Sequence, residues 1–157
     1  MPASVLDGSV ASVPGSDVKC VKSWGVVQNT PENVHRQLWS ETKEEKLRDD
    51  DTMIDHKIVE VLDDAGNYQI VYQKYKFPWP LSARDFVFLR FVRTLPDGTI
   101  VFISKSVTHP DYPEEKKTVR GDIINSAYVQ KPQDGNTLFG YMVQMDPKVP
   151  LPSSLPS

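Results

Sequence analysis

From His56 to Met145 the apolar residues recur with a period of two, in six segments divided by turn-forming residues. HKIVEVL (56–62) and YQIVYQKYK (68–76) flank DDAGN, and RDFVFLRFVR (84–93) and TIVFISKSV (99–107) flank LPDG. TVRGDIINSAYVQ (118–130) and TLFGYMVQM (137–145) flank KPQDGN. Alternation of this kind marks strands with one buried face, and Gly, Pro, Asn and Asp between them mark turns. Connections of hairpin length exclude parallel βαβ units, so these segments predict an antiparallel meander.

Upstream, VKCVKSWGVVQ (18–28) is β-branched and reads as one more strand. Thr30-Pro31-Glu32 then combines an N-cap, a residue suited to the first helical position and a first-turn acid. The helix runs to about Ser40 with Val34, Leu38 and Trp39 on its buried side. ETKEEKLRDDD (41–51) reads as a solvated helix end or loop, with no histidine near enough to make it a metal site. Residues 1–18 are small, polar and broken by Gly and Pro, and predict a disordered tail ahead of a domain over 19–157. The class is α+β: a sheet with few helices. After Asp146 the chain reads PKVPLPSSLPS, too rich in proline for a helix. A meander with one visible helix is short of a covering element.

A length of 157 residues fits a single domain with its own core. A net charge of -3 argues against a nucleic-acid binder held by phosphate contacts. Cys20 is the only cysteine, so no intrachain disulfide forms, and a cytoplasmic setting with peripheral membrane contact is expected. No run of about 18 apolar residues offers a membrane span. His35, His56 and His109 lack ligand spacing, so no metal or other cofactor is expected. Ser106 and His109 are not accompanied by an acid or a nucleophile elbow, which argues against a hydrolase. No catalytic residue is assigned.

The stretch FPWPLSARDFVFLR (77–90) is the most distinctive. Pro78 and Pro80 stiffen a turn with Trp79 at its tip, and the strand after it sets Phe86, Phe88 and Arg90 on one face. Two readings of Trp79 stand open: a ring presented at a membrane interface, or one folded back into the core. Arg90 has two as well. It either faces the sheet's ligand side and requires a partner, or covers apolar surface at the edge. Arg84 and Asp85 point to opposite faces at the strand start, a structural arrangement.

The Pro-x-Pro turn with Ser82, Arg84, Asp85 and Phe86 is followed, in order, by Ser106-Val107, His109-Pro110, Pro113, Val119-Arg120 and Asp146-Pro147-Lys148. With this ordered set the chain resembles the START family of lipid-transfer domains, nearest to its phosphatidylcholine-transfer subgroup. The resemblance implies a helix-grip fold, a curved antiparallel sheet enclosing one lipid, and it implies binding and transfer between membranes without catalysis. Alternation sets Tyr72, Phe86, Phe88, Arg90, Phe102, Ile124 and Tyr141 on the concave face along which the lipid would lie. The resemblance adds Gln73, and it aligns Trp79 with a membrane-touching Trp that Phe77 and Leu81 would join. Lys74 and Lys76 stand near the headgroups. Of the positions aligned to a choline cage, Gln73, Phe86 and Ile124, only one is aromatic, so the headgroup stays open between phospholipid and sphingolipid. Glu60 is the expected acid partner of Arg90. Family members carry an element ahead of Val18 and a C-terminal lid helix, and neither is expected here. An open sheet would favour a dimer or a partner's helix as cover, and a docking module is the alternative function.

Overall fold

The computed structural model describes residues 3–39 and 42–150. Its strands are β1 Ala3–Val13, β2 Ser16–Val27, β3 Met53–Val61, β4 Tyr68–Tyr75, β5 Ala83–Thr94, β6 Ile100–Ser106, β7 Thr118–Arg120, β8 Asp122–Gln133 and β9 Asn136–Asp146. The helices are α1 Pro31–Trp39 and α2 Lys43–Asp49. One sheet runs in the order β1-β2-β9-β8-β6-β5-β4-β3, with β7 set against β5. All its pairings are antiparallel except β5 with β7.

The period-two segments are thus strands of one meander, as their spacing predicts. The segment predicted over 118–130 is divided in two at Gly121. Its amide donates to the Asp85 carbonyl at 2.9 Å. A Cβ at that position would lie 2.2 Å from the Phe86 ring, so the glycine lets β5 pass close by.

The predicted disordered tail is corrected from residue 3 onward, because β1 pairs with β2 along its length, and β2 starts at Ser16. Val13-Pro14-Gly15-Ser16 makes the turn, with Gly15 at a φ of 77°. Proline followed by a positive-φ glycine is tight-turn chemistry as well as a mark of disorder. Here the neighbour β2 supplies the ladder that a polar strand cannot supply for itself.

Between β2 and β3 the chain crosses from one side of the sheet to the far edge through both helices. α1 starts as its sequence predicts, with the Asn33 amide on Thr30 Oγ1 at 3.4 Å and Val34 buried. The charge run folds as α2, capped by Thr42 Oγ1 on the Glu45 amide at 3.3 Å, and buries none of its residues. Trp39 meets Phe102 of β6 edge-on at 5.2 Å, which lays α1 across one face of the sheet. That is the inner face. The opposite, outer face carries the 108–117 loop, where Tyr112 packs on Tyr72 at 4.7 Å.

Candidate functional site

Between the inner face and the two helices lies a cavity of about 780 Å³. The sheet lines it with Gln73 and Tyr75 of β4, Phe86, Phe88 and Arg90 of β5, Phe102 and Ser104 of β6, and Ile123, Ser126 and Tyr128 of β8. Val143 and Met145 of β9 continue the wall, and Leu38 of α1 and Lys46 of α2 face it from the helix side. Alternation on neighbouring strands produces this surface, since residues paired across an antiparallel ladder share a face. Gln73 opposes Phe86, and Phe102 opposes Tyr128 with their rings stacked at 5.3 Å.

Of the residues expected on the ligand, Gln73, Phe86, Phe88, Arg90 and Phe102 are brought together here. Three are not. Tyr72 stands on the outer face against Tyr112, because a residue next to Gln73 in a strand must point the other way. Ile124 falls in a register shift between Ile123 and Asn125, and that bulge turns Ile123 inward in its place. Tyr141 is opposite Tyr128 in the ladder with ring centroids 6.2 Å apart, but it does not line the cavity.

Arg90 is 1% exposed. Its Nε and Nη2 donate to Gln69 Oε1 at 3.0 and 2.7 Å, Nη2 also donates to the Trp39 carbonyl at 3.3 Å, and the guanidinium lies 4.2 Å from the Trp39 ring centroid. Gln69 is directly opposite Arg90 in the β4–β5 ladder, which is why it reaches. The expected partner Glu60 belongs elsewhere: its carboxylate is 3.5 Å from His109 Nε2. A register break between Ile58 and Glu60 accompanies that displacement.

A polar layer extends from this arginine. His56 of β3 is buried, with Nδ1 3.1 Å from Gln73 Nε2, while the Tyr75 hydroxyl donates to Gln73 Oε1 at 2.8 Å. Accepting from an amide leaves the His56 proton on Nε2. Burial, then the charges of Arg90 and Lys46, pull its pKa down to about 4, so the ring is neutral at pH 7. Lys46 Nζ donates to the Leu38 carbonyl at 2.7 Å. Burial pushes the hydroxyls of Tyr75 and Tyr128 above the usual tyrosine range.

Arg84 and Asp85 are structural, as expected. Arg84 donates to the carbonyls of Ser82, Pro147 and Lys148 and sits 4.7 Å from the Phe77 ring centroid. Asp85 accepts from Arg120 Nε and Nη2 at 2.8 and 3.0 Å. The Ser106 hydroxyl accepts from the Ile123 amide at 2.7 Å, and His109 Nδ1 accepts from the Asp111 amide at 3.2 Å. Among the described residues no cluster suits a metal, and no helix is long and apolar enough to cross a membrane.

Trp79 is 93% exposed, which overturns its core reading. The Trp79–Pro80 peptide is cis. Phe77 and Leu81 are half-buried beneath it, and Phe77 and Pro78 reach the cavity wall. Sequence reasoning missed Ser104, Ser126, Tyr128, Val143, Met145 and Lys46. The first five were findable by carrying the inner phase of β5 across the ladder; Lys46 was hidden in a charge run that reads as solvated.

The family model for the START domain matches residues 5–156. The chain is similar to START domain-containing protein 10 of human and of mouse, 34% identical over 103 residues, covering 62% of this chain and 35% of each relative. It therefore spans about a third of the length of those relatives. It is also 33% identical over 85 residues to the homeobox-leucine zipper protein ATHB-8 of Arabidopsis thaliana, covering 50% of this chain and 10% of that protein. Among solved structures, human STARD10 superposes with a TM-score of 0.82 at 23% identity, over 96% of this chain and 63% of that one. The human StarD13 (DLC2) lipid transfer and protein localization domain gives 0.81 at 24% identity, over 96% of this chain and 77% of that one. These likenesses establish the helix-grip fold, and with the matched model they show that this chain belongs to the START domain family.

Proposed function

We propose that the chain binds one lipid, a phospholipid or sphingolipid, in the cavity and transfers it between membranes. The observation that carries this reading is the cavity of about 780 Å³, walled by Phe86, Phe88, Phe102, Ile123, Tyr128 and Val143 with the buried Arg90 at its polar end. That size fits a small-molecule ligand site with apolar walls and few placed polar groups. Burying about 300–400 Å² of acyl chain contributes roughly 7–10 kcal/mol, enough to offset removal from a bilayer when water is excluded. Family membership and the likeness to the StarD13 lipid transfer and protein localization domain support the same chemistry. Gln73, Phe86, Phe88, Arg90 and Phe102 contact the lipid in this proposal, and the protein acts as a carrier, not a catalyst. The Phe77–Leu81 loop is the membrane contact, with Trp79 at headgroup level.

Native mass spectrometry of the purified protein after incubation with mixed vesicles tests it. One lipid per chain is the expected result. A protein that stays empty, or one that appears only as an empty dimer, overturns it in favour of a docking module.

A further inference from the structure

The apolar walls set how much lipid the cavity takes and leave its headgroup unspecified; the charged lining groups bear on that. Resting on the lipid reading above, the question is which headgroup charge those groups suit. Among the described residues, Lys46, Asp49, Asp50, Lys76 and Arg90 are the charged side chains around the cavity. Most are already answered or open to water. Asp50 accepts from the Thr52 amide and hydroxyl at 2.9 and 2.6 Å, Asp49 lies 3.5 Å from Arg48, and Lys76 is exposed. Arg90 is held by Gln69 and by Trp39.

Lys46 stands apart. Its ammonium donates to a neutral carbonyl, that of Leu38, and no carboxylate of the described residues lies within ion-pair distance of it. Burial, followed by the charge of Arg90 facing it from β5, brings its pKa down to about 8, against the smaller opposing pull of Asp49 and Glu45 on its own helix. His56 on β3, neutral at pH 7, adds no charge of either sign. A cavity-lining ammonium that is half-buried, faces a second cation and makes no ion pair among the described residues is stabilised by an anion brought in with the ligand.

We propose that Lys46 is a specificity-determining residue that favours lipids with a net negative headgroup, by donating a charge-assisted hydrogen bond to a headgroup phosphate or carboxylate. The bond to Leu38 ties α2 to the last turn of α1, and both residues line the cavity. A zwitterionic headgroup brings a cation of its own beside Lys46 and Arg90 and loses that advantage.

The test is a competition in one sample, so that the ratio is independent of how much protein is folded. The full chain is incubated with vesicles containing phosphatidic acid, phosphatidylserine and phosphatidylcholine of matched acyl chains, and bound lipid is identified by native mass spectrometry. The wild type should be enriched in the anionic lipids over phosphatidylcholine by about tenfold, the factor that 1.4 kcal/mol yields. Lys46→Gln should bring the ratio near one, and Lys46→Arg should keep it. Should only phosphatidic acid be enriched, the phosphate source is selected; enrichment of phosphatidylserine too extends selection to the carboxylate. A wild-type ratio near one, or an enrichment that survives Lys46→Gln, overturns the proposal while leaving the lipid cavity standing. A protein that takes up none of the three overturns the proposal and removes phospholipids from the lipid reading.

Discussion

Arg90 holds its position through geometry that a smaller cation cannot copy. Two of its nitrogens converge on one Gln69 oxygen while its plane stacks on Trp39. Arg90→Lys should therefore behave as a loss, since an ammonium has neither the fork nor the flat face. We expect Arg90→Met to lower stability by about 2–3 kcal/mol, because the Gln69 oxygen is left buried with fewer donors. Urea unfolding of both variants measures this, and a Lys variant as stable as wild type would refute the argument. His56 has a pH signature of its own. Its folded pKa of about 4 lies below the ordinary 6.5, so the unfolded chain takes up a proton first as the solution is acidified. Its contribution is unaffected above pH 6.5, is lost as pH falls from there to about 4, and stays lost below that. Comparing unfolding free energies of wild type and His56→Gln across this window should show a flatter slope in the variant.

At the scale of elements, the joint between β7 and β8 depends on a missing side chain. A Cβ on residue 121 would meet Phe86 at 2.2 and 2.5 Å, and Phe86 is itself packed with Val71 and Phe88 in the core. Gly121→Ala should destabilise by roughly 1–3 kcal/mol, the usual range for overpacking, and Phe86→Leu in the same chain should return part of that. Thermal unfolding of the single and double variants checks it; independent, additive effects would deny the contact. The proline-framed loop has the opposite character. Trp79 is almost fully exposed, so Trp79→Ala should change stability by less than about 0.5 kcal/mol. In the proposed carrier it should nonetheless slow lipid transfer between vesicles severalfold. A transfer rate equal to wild type would remove Trp79 from the membrane contact.

For the whole molecule, a ligand that occupies the folded state alone must raise its stability. Lipid at about 100 times its Kd adds about 2.7 kcal/mol, which for a chain of this size lifts Tm by roughly 5–10 °C. Scanning calorimetry with and without vesicles of the bound lipid reads this directly. No shift in Tm would count against the cavity as the binding site.

Alternation and turn residues alone determined most of this fold. Period two over 56–145 permits antiparallel strands and little else, and the Thr30-Pro31-Glu32 start is written in local capping chemistry. The ordered residues around the Pro-x-Pro turn were enough for the family. What they left undecided is which strands lie together at a distance. β2 lies beside β9 and not beside β3, so β1 gained a partner and the polar start of the chain became an edge strand. Register decided the site in the same way. One bulge exchanged Ile123 for Ile124, and Gln69 became the neighbour of Arg90 because the ladder sets them opposite, while Glu60 was carried off toward His109. Lys46 shows the limit most clearly: among the charges of α2 it looks solvated, and only the packing of α2 over the sheet half-buries it at the cavity. Local chemistry determines what each segment can be; pairing and burial between distant segments determine what each side chain then meets.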